Sequence, residues 1–316
     1  MNILSFFKPK IVVTTHDGTF HADDVFACAT LSLWAEKQGK RIKIVRTRDE
    51  AIIAKSDIVL DVGMVYDPEA KRFDHHQKEG AGERENSIHY ASFGLIWKHY
   101  GEEVCEKYSI SQKVEAREVC KLVDQKLVSP VDAHDNGVVI STPNNFGVSE
   151  YNVSKAISAF NSAWIELGQI SSDERFKKAL SFAKEILKRE IVWAEAEILG
   201  NKETLEVIKA QNYPEILILE TRVDWEREVT KYKNIKFIIS KGKEHWSVQV
   251  ARDDIENYDS NRIEFPKSWQ GLRDEALEKE SGVVGAIFCA RGGWYAKAAT
   301  KEAALSLTQK ALGKNL

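Results

Sequence analysis

Acidic and imidazole side chains recur in the first half of the chain at suggestive spacings: His16, His21 and Asp23, then Asp61, then Asp74, His75 and His76, with Asp132 or Asp135 further on. Of the chain's eight histidines, His16, His21, His75, His76 and His134 sit beside aspartates in loop-like stretches. His16, His21 and Asp23 fall within one loop, so a single cation could take several of them. Asp61 could bridge two cations, His75 or His76 offers a further imidazole, and Asp132 or Asp135 a last carboxylate. A set of imidazoles and carboxylates without thiolate suits Mn2+, with Fe2+, Co2+ or Zn2+ as substitutes and Mg2+ less favoured. The chemistry such a set permits is hydrolysis of a phosphoester. The ester's negative charge repels hydroxide, and a pair of divalent cations activates a shared water and stabilises the attacking and leaving oxygens.

Neighbouring side chains of an extended segment point to opposite faces, so one of His75 and His76 can ligate while the other meets the phosphate. Asp74 is then a ligand or a carboxylate that orients an imidazole. Asp17 and Asp24, like Asp135, are candidates for metal contact or for support of a ligand, and Asp17 and Asp24 equally for helix capping. His89, His99 and His245 read as surface or packing residues, and His134 is not expected to ligate.

These residues need elements to hold them. Ile11 to Thr15 is a β-branched run that ends at His16, and Ile58 to Leu60 is another that ends at Asp61. With helical patterns at Val25 to Gln38 and Asp49 to Lys55 and a strand at Ile42 to Val45, the order is βαβαβ. That order implies a parallel sheet covered by helices, with ligands bound beyond the carboxyl ends of its strands. A turn at Asp67-Pro68 leads to Asp74, and 78–86 reads as a Gly- and charge-rich loop. Helices are expected at about 90–100, 113–127 and 152–160, and Asp132 in a helix end and loop. A long Lys/Glu-rich helix begins near Asp173. The fold class expected is α/β: a parallel-sheet domain over 1–172, followed by the linking helix and a smaller α/β domain over 173–316.

The 316 residues are 43% hydrophobic and 29% charged with a formal net charge of −3, so no global positive field attracts nucleic acid. Cys28, Cys105, Cys120 and Cys289 are widely spaced, and read as reduced thiols rather than a zinc or redox motif. With neither a secretory leader nor a membrane-length apolar run in the sequence, a cytoplasmic protein with no membrane partner is expected.

The ordered motifs His16-Asp17-Gly18-Thr19-Phe20-His21-Ala22-Asp23-Asp24, Asp61-Val62-Gly63, Phe73-Asp74-His75-His76-Gln77 and Val131-Asp132-Ala133-His134-Asp135-Asn136-Gly137 resemble the melanocyte-proliferating-gene family. That family is itself similar to the DHH phosphoesterases. The resemblance extends over most of the chain, through Ala159-Phe160-Asn161, Trp246 to Gln249, Trp269 to Glu275 and Ser281-Gly282-Val283. It implies that His16 and His21 hold one metal, Asp23 the other, and that Asp61 bridges. His75 and Asp132, or less favourably Asp135, would complete the second site, with His76 facing substrate beside Asp74. His21 stands where the wider superfamily has an aspartate, which shifts metal preference toward borderline ions.

Eukaryotic relatives are described as RNA exonucleases working from the 3′ end, so RNA is the substrate class that the resemblance implies. The function implied is a metal-dependent 3′–5′ exonuclease on RNA or short oligonucleotides. The alternatives are hydrolysis of a small nucleotide or pyrophosphate, or a non-catalytic RNA-binding protein with a relic metal site. The second domain would hold the strand through Arg291, Gly292, Gly293 and Lys297, with Trp294 or Tyr295 stacking a base. A turn followed by a core aromatic is the plainer reading of that stretch. Lys78 and Arg84 in the loop are further candidates for phosphate contact.

Overall fold

The computed structural model describes residues 10–314, apart from 144, 167, 169 and 213, and divides into two compact units, 1–195 and 196–316. In the first unit, β1 (Lys10–Thr15) pairs in parallel with β2 (Arg41–Arg46), in register from Lys10↔Arg41 to Thr15↔Arg46. On its other side β1 pairs in parallel with β3 (Ile58–Leu60), Val13 opposite Ile58 and Thr14 opposite Val59. The crossover between β1 and β2 is α1 (Ala22–Lys37), buried almost all round from Ala22 to Leu33. A helix apolar on every side needs cover on every side. The short α2 (Glu50–Ile53) is capped by Asp49, whose Oδ1 accepts from Ala51 N at 2.8 Å.

Beyond β3 the chain forms a hairpin of two-residue strands, β4 (Tyr66–Asp67) and β5 (Arg72–Phe73). β5 lies parallel to β3 with Leu60 opposite Phe73, completing the order β2-β1-β3-β5-β4. The registers therefore put His16, Asp61 and Asp74 one step past the ends of three adjacent strands.

The helices α3 (Ser92–Tyr108), α4 (Ala116–Val123), α5 (Ser129–Asp135) and α6 (Val153–Ser158) follow, with a π-helical turn at Asp124–Val128 between α4 and α5. α5 continues directly from that turn, with Pro130 as its second residue. Asp132 lies inside α5, and the expected helix end and turn come at Asp135 to Gly137.

The helix α7 (Ser172–Ala210) crosses the division between the units. The boundary drawn at 173 from sequence falls at the helix's first turn, whereas the compact units divide at 195/196. The reason is visible in its side chains. The Phe176 ring packs edge-on against Phe20 at 5.4 Å, and Lys184 pairs with Glu36 at 2.5 Å. Ile208 joins a separate cluster with Leu217, Leu219 and Ile238.

Glu195 closes the first unit. Its carboxylate, in a residue 3% exposed, accepts from Ile110 N (2.6 Å), Ser111 N (3.1 Å), Ser111 Oγ (2.7 Å) and Gln112 N (3.0 Å) in the loop after α3. Burial alone would raise its pKa, but these donors outweigh burial and hold it below the ordinary 4.5. A depressed carboxylate contributes stability above its unfolded-state value and loses it as pH falls through the folded one. Glu195→Gln should cost about 1–3 kcal/mol at neutral pH. In urea melts that gap should shrink as pH drops below 4.5; a gap of constant size would show that the charge is not what matters.

The second unit carries β6 (Ile216–Leu219), α8 (Glu226–Val229), β7 (Phe237–Lys241), β8 (Trp246–Val250), α9 (Asp274–Ser281), β9 (Ala286–Cys289), β10 (Tyr295–Ala298) and α10 (Lys301–Ala311). Its sheet runs β6-β7-β8-β10-β9, and only β6 and β7 are parallel. Phe237, Ile239, Val248, Val250, Ala296 and Ala298 alternate onto the face that buries Phe265, Leu277 and Leu307. Among the described residues no helix is long and apolar enough to cross a membrane.

Candidate metal centre

An open cleft of about 1140 Å3 lies in the first unit, lined by the residues past the strand ends and by α5 and α6. At its floor the Asp61 carboxylate divides its two oxygens. Oδ2 is 3.3 Å from His16 Nε2, and Oδ1 is 3.4 Å from His75 Nε2. Two groups of potential ligands meet there: His16 with Asp24 and Asp61, and Asp23 with His75 and Asp135. A third, overlapping group is Asp61 with His75 and His76. Asp61 adopts φ 53°, in the left-handed region that aspartate and asparagine tolerate better than most residues.

Each imidazole is aimed by its neighbours. His16 Nδ1 lies 2.7 Å from the Asp17 carbonyl, which can only accept, so Nδ1 carries a proton and Nε2 is the nitrogen turned toward Asp61 and Asp24, a donor to these carboxylates until a cation takes its place. His76 Nδ1 donates to Asp74 Oδ1 at 2.7 Å, which leaves Nε2 as its free nitrogen. Asp74, 1% exposed, also accepts from Met64 N (2.6 Å) and His76 N (3.1 Å). Burial pushes the Asp74 carboxyl up, but His76 and these two backbone donors prevail and hold it below its ordinary value.

Among the described buried atoms of this centre, Asp24 Oδ2 and His75 Nε2 make no hydrogen bond; the first stands 3.5 Å from His16 Nε2 and the second 3.3 Å from Asp135 and 3.4 Å from Asp61. A buried polar atom without a hydrogen bond costs about 1–3 kcal/mol unless something else satisfies it. The two atoms belong to different groups of the centre. The donor set therefore fits divalent cations, and the electrostatics agree. Burial, then the charge of Asp61, pushes Asp24 up to about 7. Burial, then Asp135, Asp61 and Asp132, raises Asp23 well above the carboxylate range. Burial lowers His16, but Asp61, Asp24 and the Asp17 carbonyl outweigh it and push it up to about 9. Burial raises Asp61, yet the two imidazoles hold it well below the usual carboxylate value. A centre with this much unneutralised negative charge is built for positive ions.

Some sequence-predicted residues lie elsewhere. Asp132, expected as the last ligand, is 0% exposed and outside the cleft. Its Oδ2 accepts from Arg84 Nη1 at 2.8 Å and its Oδ1 from Gly94 N at 3.0 Å. Asp135, one helical turn on, stands 3.3 Å from His75 Nε2 instead. Arg84, expected to meet a phosphate, is consumed by Asp132 and by a two-pronged pair with Asp124 at 2.8 and 3.0 Å. Asp23 also caps α3, accepting from Ser92 N (3.0 Å) and Phe93 N (2.6 Å). Asp24, a candidate for metal contact, ligand support or capping, caps α1 by accepting from His21 N at 2.8 Å, and it also joins the His16 group. His21 lines the cleft with its ring centroid 5.9 Å from that of His16. His134 lines the cleft as well, and Asp17 is on its rim.

The loop that carries His16 and His21 is pinned from behind. Asn161 donates to Phe20 O (2.9 Å) and accepts from Phe20 N (3.2 Å). Arg46 donates to Gly18 O at 2.6 Å and to Ser172 Oγ at 2.7 Å.

The family model MYG1_exonuc, described as "Uncharacterised protein family (UPF0160)", matches residues 12–312. The chain belongs to the MYG1 family. This is the family that the ordered motifs resemble. The MYG1-family chain is 31% identical over 335 residues to the MYG1 protein C27H6.8 of Caenorhabditis elegans, covering 95% of each. It is 31% identical over 324 residues to the MYG1 protein C694.04c of Schizosaccharomyces pombe, covering 96% of this chain and 97% of that one. It is 30% identical over 329 residues to the MYG1 exonuclease of Homo sapiens, covering 95% and 85%. Among solved structures, RecJ of Thermus thermophilus in complex with Mn2+ matches 97% of this chain but only 52% of its own, at 11% identity and a TM-score of 0.26. A manganese-bound exonuclease RecJ matches 96% and 90%, at 10% identity and 0.28. At TM-scores this low nothing further about this MYG1-family chain follows from them.

In the second unit of the MYG1-family chain, Arg291, Gly292 and Gly293 form the turn between β9 and β10. Gly293 is buried at φ 67°, donates to Ala290 O at 2.9 Å and accepts from Phe265 N at 2.8 Å. A Cβ there would meet Gln270 Nε2 at 2.4 Å, so this glycine answers to the turn rather than to a phosphate. Lys297 and the half-exposed Trp294 instead line a separate groove of about 590 Å3 with Lys241, Lys243, His245 and Trp246. Arg291, Gly292 and Gly293 are not among its lining residues.

Proposed function

We propose that this chain is a metal-dependent exonuclease that hydrolyses RNA or short oligonucleotides at a two-metal centre. The observation that carries the reading is the Asp61 carboxylate, shared between the group with His16 and Asp24 and the group with His75 and His76, each of which holds a buried atom without a hydrogen bond. The name MYG1 exonuclease, borne by relatives such as the human protein, supports the reaction class.

His16, Asp24 and Asp61 would hold one divalent cation, with His21 beside them. Asp23, Asp61, His75 and Asp135 would hold the other, and Asp135 takes the role first assigned to Asp132. Manganese suits this mixed set of imidazoles and carboxylates. Bound there, the cations would supply an activated water and compensate the charge that builds on the phosphate oxygens.

The chain's own residues do the rest. Asp74 fixes the His76 ring by taking its Nδ1 proton in a hydrogen bond, and Nε2 is then the atom that donates to a phosphate oxygen. The hydrogen bond to Asp74 raises the His76 pKa against the effect of burial, which keeps that donor protonated to higher pH. Lys297, with Trp294 and Tyr295, offers a cation and stacking faces to a strand in the second unit.

The test is a panel assay with Mn2+ on a pentaribonucleotide, the matching DNA, a cyclic dinucleotide and pyrophosphate. The RNA strand should be shortened stepwise from one end. Turnover of pyrophosphate or the cyclic dinucleotide alone would replace the exonuclease reading with a small-molecule phosphohydrolase. No turnover and no bound transition metal would leave a binding protein.

A further inference from the structure

Resting on the phosphodiesterase reading above, we propose that Arg48 grips the substrate phosphate next to the scissile one and so selects an oligonucleotide over an isolated phosphate ester. Its position follows from the sheet. The β1–β2 ladder continues one step beyond Thr15↔Arg46, through Thr47 N donating to Thr15 O at 2.8 Å. Arg48 therefore emerges at the same end of the sheet as His16, where parallel sheets take their ligands.

The cleft itself is strongly acidic, lined by Asp17, Asp23, Glu50, Asp61, Asp74 and Asp135. Cations at the centre can neutralise the carboxylates at its floor. They do nothing for a strand that extends outward past Asp17 and Glu50. Among the described lining residues, Arg48 is the only lysine or arginine. The other nearby guanidiniums are already committed, Arg46 to Gly18 O and Ser172 and Arg84 to Asp124 and Asp132.

Arg48 is not committed. Its side chain is 64% exposed, and its ion pair among the described residues is Nε to Asp17 Oδ1 at 3.3 Å. An exposed pair of that kind is worth little and exchanges readily. Both terminal amino groups remain to form a fork against a phosphate. Ile53, Ala54 and Met64 also line the cleft, and Met64 is 60% exposed. Apolar side chains in a cleft that holds a cation suit the sugar and base that separate two phosphates of one strand.

The experiment is a thermodynamic cycle. Wild type, Arg48→Met and Arg48→Lys are compared on a pentaribonucleotide and on the same strand with a neutral methylphosphonate at the linkage next to the terminal one. With Mn2+, Arg48→Met should raise KM for the all-phosphate strand by about 10-fold or more, with kcat changing less, and Arg48→Lys should recover part of the loss. The neutral linkage should cost wild type a similar factor and Arg48→Met little more, because both changes remove the same contact. The same cycle is read as Kd by fluorescence anisotropy with Ca2+ in place of Mn2+. A methylphosphonate penalty of equal size in wild type and Arg48→Met overturns the inference. If wild type cleaves neither strand, the exonuclease reading fails, and the binding cycle alone decides the role of Arg48.

Discussion

Asp61→Asn should abolish hydrolysis while leaving the metal-free protein as stable as wild type. Loss of a residue shared by both ligand groups should exceed the roughly 10–100-fold typical of partners that merely orient a ligand. Asparagine is the right replacement because Asp61 sits at φ 53°, where alanine would add backbone strain to the loss of the carboxylate. The metal-free fold has little to lose. His16 and His75 forfeit a partner, but Asp24 and Asp135 lose a repelling neighbour. Mn2+ should raise the Tm of wild type and leave that of the variant unchanged, since a ligand stabilises only what binds it. Metal content by mass spectrometry, melting with and without Mn2+, and turnover of a pentaribonucleotide together read the outcome. Retained turnover in a preparation free of contaminating nuclease would sink the proposed centre.

Gly94→Ala should be the most damaging single methyl in the first unit. A Cβ at this position would lie 1.9 Å from Asp132 Oδ2 and 2.8 Å from Arg84 Nη2. Neither atom can step aside, because Asp132 is fully buried and Arg84 is held between Asp124 and Asp132. Breaking a buried ion pair costs about 3–5 kcal/mol, and the loss in a urea melt should fall in that range. A loss under about 1 kcal/mol, the usual scale of a surface change, would show that the pair is free to shift. The effect should reach the metal. On an α-helix of 3.6 residues per turn, Asp124 and Asp132 would sit roughly 80° apart around the axis. The wider π turn between them takes up that offset, and both meet one guanidinium. Arg84 thereby fixes the rotation of α5 and with it the approach of Asp135 to His75, so Mn2+ affinity should drop in the variant as well.

The first sheet could be read from sequence because its strands are β-branched runs that end abruptly in His16 and Asp61. The alternation with helices left a parallel order as the natural outcome. The β4–β5 hairpin was not readable, since two-residue strands have no periodicity to detect. β10 was equally unreadable, because Tyr-Ala-Lys-Ala carries no β-branched residue. In the site, the residues that chain geometry delivers to the strand ends came together as expected. Those whose fate depends on a distant partner did not. Asp132 and Asp135 lie on one helix three residues apart, and only Arg84, drawn from another segment, tells them apart. Asp23 and Asp24 are adjacent on α1, and the docking of the N-terminus of α3 makes Asp23 spend both oxygens on backbone N–H groups while Asp24 spends one. Arg48 and Arg84 are equally polar in sequence, yet one is exposed and the other buried, for reasons that no local pattern carries.

The ties behind the His16–His21 loop also say something about the order in which this protein can be made. Phe20 is fastened to Asn161 across 141 residues of chain, and Arg46 to Ser172 across 126. During synthesis, which delivers the N-terminal segment first, that loop leaves the ribosome early, with Arg46 following soon after to meet Gly18 O. Asn161 and Ser172, the other two ties, are made only after every proposed ligand through Asp135. A nascent chain arrested near residue 150 would therefore contain the whole proposed ligand set while lacking two of the ties that hold its first loop.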